Sequence, residues 1–188
     1  MQSMQFMQPT LHTARLTLRP FVVADAVSVR QLAGDVRVAE TTAAIPHPYP
    51  EGAAQTWIAT HAGIFESKKG VVFAITDALS GELLGAIDLH DMPESDARCE
   101  LGYWVAHAHW SKGVCSEAAN ALIHYAHSSL GVTRVVCRCL ARNIGSARVM
   151  EKAGLVREGH LIKHVNHRGT FEDVLLYGMV LSGRDAPA

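Results

Sequence analysis

Apolar and polar residues alternate over 12–19 (HTARLTLR) through Ala14, Leu16 and Leu18, which predicts a half-buried first strand ended by Pro20. The period then changes. Residues 25–33 read as a short helix stopped near Gly34, and a loop with Pro46, Pro48 and Pro50 follows. From 51 to 68 the spacing of Ala54, Trp57, Ile58, His61 and Phe65 is helical, with Gly70 closing the segment. Two strands, 71–78 and 82–91, flank a tight turn containing Ser80 and Gly81, a hairpin signal. After a polar loop, 98–106 (RCELGYWVA) reads as another long strand.

Residues 114–130 carry apolar side chains at Val114, Ala118, Ala121, Leu122, Tyr125 and Leu130, the stripe of an amphipathic helix, with Gly131 as its cap. A strand at 133–140 follows. A short helix over 144–153 has Asn143 as N-cap and Gly154 just past its end. Two strands, 156–167 and 170–181, close the chain around a turn at 166–169. The order β-α-α-β-β-β-α-β-α-β-β shows no internal repeat and no linker. Strands come in hairpins except where the helix 114–130 connects 98–106 to 133–140. A crossover of that length makes these two strands parallel inside a mixed sheet. The expectation is one α+β (mixed α/β) domain over 1–188, with 1–10 as a flexible leader.

Composition narrows the classes. The 188 residues are 48% hydrophobic and 19% charged, which suits one domain with a sizeable core and excludes a disordered chain. A formal charge of −1 supplies no basic field for nucleic acid or an anionic membrane. Apolar runs such as 71–75 are far too short to span a bilayer. The opening MQSMQFMQ lacks the cationic head and apolar stretch of a signal peptide. Cys99, Cys115, Cys137 and Cys139 lack paired metal-ligand spacing, and a reduced, cytoplasmic protein is expected.

Candidate chemistry concentrates in CELGYWVAHAHWSKGVCSEAANALIHYA. A strand ends, a short loop carries Ser111, Lys112 and Gly113, and a long helix begins at once. The first N–H groups of such a helix have no intrahelical partners, and with the helix dipole behind them they suit a phosphate or pyrophosphate. Gly113 permits close approach to the backbone, Ser116 adds a hydroxyl and Lys112 adds charge. The loop is neither a P-loop nor a Rossmann fingerprint, because the required glycines are missing. An ordinary strand-to-helix turn remains the alternative on the loop alone.

Three stretches, ELGYWVA (100–106), WSKGVCSEA (110–118) and NIGSARVMEKAG (143–154), together with the element order, resemble the GNAT superfamily of acetyl-CoA-dependent N-acetyltransferases. Within it the chain resembles the RimJ/RimL branch, which acetylates protein N-terminal amines and related small amines. The resemblance runs from about His12 to Leu181. It implies a GNAT-like fold: a central mixed, mostly antiparallel sheet of about seven strands flanked by about four helices. It also implies acetyl-CoA as cosubstrate, an amine acceptor and no metal, and it allows a homodimer.

The resemblance places the coenzyme A pyrophosphate on the N–H groups of Ser111, Lys112, Gly113, Val114, Cys115 and Ser116. The backbone of Trp104, Val105 and Ala106, at a splayed strand end, would pair with the pantetheine arm. Asn143 would hydrogen-bond that arm, and Ser146 would sit near the thioester sulfur. Two positions depart from the family signature: Trp110 stands where Arg or Gln is usual, and Cys115 where a small residue is usual. The bulk of Cys115 could tilt the phosphate arm.

Acetyl transfer to an amine needs a neutral nucleophile, charge stabilisation at the thioester oxygen and a proton for the leaving thiolate. Neutralising an α-amine of pKa near 8 at pH 7 costs roughly 1.4 kcal/mol, against about 4.6 kcal/mol for a lysine-like amine. Glu100 is the first candidate for the base, and Asp88 and His90 alternate onto one face of the preceding strand, where they could form a relay with it. A solvated sheet face is the alternative for all three. Ser146 is the candidate proton donor; alternatively, Ser146 and Asn143 only support a helix cap. Among the 11 histidines, His124 and His127 have a chelating spacing but fall on the polar helix face with no third ligand. His107 and His109 read as surface-loop residues, with a place bordering the cofactor as the alternative. His160, His164 and His167 read as ordinary strand and loop residues, with the acceptor groove as the alternative. Cys137 and Cys139 read as core; Cys115 at a helix start reads as a packing residue, with a reactive thiol as the alternative. Tyr177 reads as core or near the active centre.

Overall fold

The structure, a computed structural model, describes residues 7–181. Eight strands form one sheet in the order β1-β2-β3-β4-β5-β6-β8-β7. They are β1 (Leu11–His12), β2 (Leu16–Arg19), β3 (Val71–Asp77), β4 (Leu83–His90), β5 (Arg98–Val105), β6 (Arg134–Leu140), β7 (Val156–His167) and β8 (Thr170–Val180). Five helices accompany them: α1 (Ala26–Ala33), α2 (Val36–Ala39), α3 (Ala53–Glu66), α4 (Val114–Leu130) and α5 (Ile144–Lys152). The mixed, mostly antiparallel architecture is the expected one, with one strand and one helix more than expected.

Both extras have local causes. The single first strand expected over 12–19 is two strands, because a turn at Thr13 breaks it: the Thr13 N–H donates to Leu16 O, and Leu16 N–H donates to Thr13 Oγ1. Beyond Gly34, Asp35 caps one further helical turn, its carboxylate accepting from Arg37 N–H at 2.9 Å. Gly70 does not close α3. The left-handed residue after that helix is Lys68, while Gly70 lies where a Cβ would meet Leu89 O at 2.5 Å. The expected leader lies in its first six residues outside the described ones; Gln8 Nε2 donates to Val72 O at 2.8 Å.

Strands β3 and β4 are buried on both faces, so they read as near-continuous apolar runs (VVFAIT, LLGAI). On one face α4 and α5 cover Leu18, Phe73, Ile87 and Leu101 with Leu122, Ile123 and Met150. On the other, α1 and α3 bring Val29, Ala33, Ala54 and Ile58 onto Ala74 and Leu83. The chain enters α1 through a bidentate pair, Arg19 to Asp25 at 2.8 Å for both bonds, with Val22 N–H donating to the same carboxylate.

One seam is incomplete. As the long crossover required, β5 and β6 are parallel, but they pair only over Arg98, Cys99 and Glu100 against Arg134, Val135 and Val136. Past Glu100 they separate. The right half of the sheet, β6-β8-β7, therefore stands apart from β1–β5 along an open wedge beside the start of α4.

Candidate active site

The wedge opens into a cleft of about 1440 Å³. Its walls include Glu100, Trp104, Val105, Ser111, Gly113, Val114, Cys115, Ser116, Asn143 and Ser146, so most residues singled out from the sequence converge here. Two do not line it. Lys112 is exposed beside the loop, and Ala106 turns away.

The anion end is built by backbone. Gly113, with φ 80, starts α4 and no side chain caps it. The first intrahelical bond runs from Glu117 N–H to Gly113 O, which leaves the N–H groups of Val114, Cys115 and Ser116 free of intrahelical partners. Glu117 in this first turn does not oppose an anion, because Arg15 pairs with it at 2.6 Å and Thr13 Oγ1 donates to it at 2.6 Å. Arg15 also donates to Lys112 O, and a Cβ at Gly113 would lie 3.3 Å from Arg15 Nη2. The guanidinium thus reaches the anion loop from the β1–β2 turn, about a hundred residues away in sequence. No periodicity or motif signalled it.

The Cys115 side chain is partly buried and packs against the α4-side core. Of the two readings of Cys115, packing fits the structure and a reactive thiol does not: burial, with Cys137 beside it, pushes the Cys115 thiol far above its ordinary range. Desolvation of the thiolate outweighs the helix-end effect. Cys137 and Cys139 are buried core residues as expected; of the two readings left open for Tyr177 the structure shows the core one, its hydroxyl donating to Glu151 at 3.0 Å.

The strand edge offers fewer groups than expected. Ala106 N–H donates to Leu84 O at 2.8 Å, and Trp110 Nε1 donates to Val105 O at 2.7 Å. Strand alternation then turns the N–H groups of Val105 and Tyr103 toward the wedge. Trp110, in place of the signature cation, fixes the strand end and stacks beside His107 with ring centroids 4.8 Å apart. Asn143 is also occupied: Oδ1 accepts from Ser146 N–H at 3.0 Å, and Nδ2 donates to Thr41 O at 3.1 Å. It caps α5 and ties the helix to the loop after α2.

The two faces of the sheet carry different chemistry. On the α4–α5 face, Tyr103 Oη lies 2.9 Å from Ser146 Oγ. Burial pushes the Tyr103 phenol far above the ordinary tyrosine range, so it remains a proton-bearing hydroxyl. The sequence reading missed Tyr103; its alternation with Leu101 and Val105 placed it on the core face, where a hydroxyl needs a partner.

On the opposite face, direct cross-strand pairs put Asp88 beside Gly102 and His90 beside Glu100. Glu100 is only 11% exposed at its side chain and accepts from Arg138 Nε at 2.8 Å and Nη2 at 2.7 Å. It is therefore not on a solvated face. His90 Nδ1 lies 2.7 Å from Asp88 Oδ2, and His90 Nε2 3.9 Å from Glu100 Oε1. Asp88 fits only because residue 102 is glycine: a Cβ there would meet Asp88 Oδ1 at 2.7 Å.

The other histidines separate by location. His124 is exposed, and His127 Nδ1 contacts Val132 O. His160 pairs with Asp173 at 2.7 Å, His167 is buried against Glu172 and Thr42 O, and His109 and His164 line the cleft.

An uncapped helix start thus faces a wedge between diverging parallel strands, with a hydroxyl pair on one face and a charged cluster on the other, an arrangement that can hold an anionic ligand and carry acid–base chemistry beside it. The family model described as "Acetyltransferase (GNAT) domain" matches residues 15–156, and the chain belongs to this family of N-acetyltransferases. The chain is 29% identical over 174 residues to the uncharacterized N-acetyltransferase YoaA of Bacillus subtilis, covering 93% of this chain and 98% of that one. It is 30% identical over 103 residues to the ribosomal-protein-serine acetyltransferase of Escherichia coli, covering 55% and 58% respectively. Its fold matches that of RimL, a ribosomal L7/L12 α-N-protein acetyltransferase in complex with coenzyme A, with a TM-score of 0.84 at 17% identity over 95% of this chain and 100% of that one. Among the described residues no helix is long and apolar enough to cross a membrane.

Proposed function

We propose that the protein transfers acetyl from acetyl-CoA to the α-amine of a protein or peptide N-terminus, as in the RimJ/RimL branch, by direct attack in a ternary complex. Acetyl-CoA supplies the activated acetyl thioester. The free amides at the α4 start, with Arg15 and Lys112 nearby, suit its pyrophosphate, and the Val105 and Tyr103 N–H groups suit the pantetheine arm. Arg148 and Lys152, exposed one turn apart on α5 and lining the cleft, add positive charge on the same side.

The observation that carries the acceptor class is the charge of the cleft wall. Its carboxylates, among the described residues, are Asp88 and Glu100; of its cations Arg142 is matched by Glu172, and Arg148 and Lys152 lie on the side given to the coenzyme. Glu100 is already matched by Arg138. A polyamine or aminoglycoside would place several cations against this wall, whereas a single ammonium needs one carboxylate. The lower cost of deprotonating an α-amine points the same way.

Within this reading, Ser146 hands a proton to the leaving sulfur and the Tyr103 hydroxyl holds Ser146 in place. The proton of the attacking amine leaves on the opposite face, toward Glu100 and its neighbours. Four free cysteines support a cytoplasmic home.

The test is thiol release from acetyl-CoA with peptides beginning in Ala or Ser, spermidine and an aminoglycoside. Turnover highest on the peptides is expected. Preference for the polycations would transfer the assignment to a small-molecule acetyltransferase, and coenzyme binding without turnover on any acceptor would mark an acyl-CoA sensor.

A further inference from the structure

We infer that His90 is the group that takes the proton from the acceptor amine, through Nε2, and that Asp88 fixes the imidazole for this task. The inference rests on the acetyl-transfer reading and names the residue its base step needs.

The hydrogen-bond chemistry assigns the tautomer. A carboxylate only accepts, so the 2.7 Å contact between His90 Nδ1 and Asp88 Oδ2 requires the proton on Nδ1. In the neutral ring Nε2 then carries the lone pair. Its 3.9 Å distance to Glu100 Oε1 is too long for a hydrogen bond, and Nε2 has no other partner among the described residues. The side chain is 47% exposed and lines the cleft, so an incoming ammonium can reach it. Glu100 is less suited to the same step, because a proton on either oxygen would break a bidentate pair with Arg138. Its charge is better placed to hold the imidazolium once formed.

Orientation is built in at three levels. Asp88 and His90 are two residues apart on one strand, so both side chains stand on one face. Gly102 across the ladder leaves room for the Asp88 carboxylate. Arg138 from β6 pins Glu100 beside the ring. The charged and titratable groups around His90 are thus Asp88 on β4, Glu100 on β5 and Arg138 on β6, with His61 of α3 close enough to respond to Asp88. The Asp88 hydrogen bond leads in raising the His90 pKa; burial lowers it, and the charges of Asp88 and Glu100 add to the rise against Arg138.

The step balances. An ammonium N–H proton passes to Nε2, and the freed nitrogen lone pair forms the bond to the acetyl carbon. The carbonyl π pair moves to oxygen and returns as the carbon–sulfur bond breaks with its electron pair on sulfur. Sulfur takes the Ser146 hydroxyl proton, while the second N–H proton leaves through Nε2, which has passed the first to solvent, and by way of solvent restores Ser146, so that one proton is released overall. Because only the neutral ring accepts a proton, the rate falls as pH drops through a His90 pKa lying above the ordinary value of about 6.5.

The experiment is the pH profile of kcat for acetyl transfer to an N-terminal seryl peptide, measured on the full chain. It is paired with NMR titration of the imidazoles in wild type, His90→Gln and Asp88→Asn. His90→Gln is expected to lower kcat about 100-fold, leave the KM for acetyl-CoA within about twofold, and abolish the acidic limb. Asp88→Asn is expected to move that limb, and the His90 titration itself, to lower pH. A His90→Gln enzyme that keeps its limb and its kcat overturns the inference while the acetyltransferase reading stands. So does a His90 titration that Asp88→Asn leaves unmoved. A wild-type protein that releases no thiol with any amine overturns both.

Discussion

At single residues the decisive facts are which polar atoms are already engaged. Glu100 has the alternation, burial and position expected of a catalytic carboxylate, yet Arg138 occupies both of its oxygens. Asn143 suits a ligand contact by motif, yet it spends its amide on Ser146 and Thr41. Such engagement is invisible in a sequence, because Arg138 and Thr41 arrive from other elements. Glu100→Gln removes the negative charge facing both His90 and Arg138, so turnover should fall tenfold or more with the acetyl-CoA Kd unchanged. Ser146→Ala should slow transfer by a similar factor with the fold intact by circular dichroism. Steady-state kinetics beside calorimetric acetyl-CoA binding separates these outcomes; full activity in either variant removes that residue from the chemistry.

Among the elements, α1 and α4 show how side chains outside a helix fix its end, from the adjoining segment for α1 and from a distant one for α4. The start of α4 has no cap of its own, and Thr13 and Arg15 hold it through Glu117. The entry to α1 depends on Asp25. Burial alone would raise its pKa, but hydrogen bonds from Arg19 and the Val22 amide, with the charge of Arg19, outweigh burial and hold it below the ordinary aspartate value. The unfolded chain therefore binds this proton more readily. The stabilisation is complete above the unfolded value of about 3.9 and is lost as pH falls through the depressed folded one. Asp25→Asn should cost about 2 kcal/mol at pH 7, read as a lower urea midpoint, and the difference from wild type should shrink toward pH 2. A difference that stays constant down to pH 2 would contradict the ion-pair account. The helical periods of α3 and α4 were legible because each buries a continuous face, and β3 was legible as an apolar run because both its faces are buried. The break at Thr13 and the extra turn of α2 were not, since they depend on hydrogen bonds over three residues or fewer and leave no periodic mark.

For the molecule as a whole, the open seam governs both binding and stability. With three residue pairs joining β5 to β6, a ligand seated between them bridges the two halves of the sheet and binds only the folded state. Acetyl-CoA at a hundred times its Kd should therefore stabilise the protein by about 2.7 kcal/mol, a rise in Tm of roughly 5–10 °C for a chain of this size. A melting curve unmoved by millimolar acetyl-CoA would count against the wedge as its site. By itself the sequence determined the order of the long elements, the parallel β5–β6 relation and the uncapped start of α4. Those follow from periodicity, crossover length and the unpaired amides of any helix start, which are local properties of the chain. Only the tertiary structure decided that Arg138 clamps Glu100, that Arg15 leans over Gly113, that Tyr103 meets Ser146 and that His90 keeps a free nitrogen in the cleft. Each of those depends on where separate strands and helices come to rest against one another, and burial there outweighed local tendency, as the raised Cys115 thiol shows.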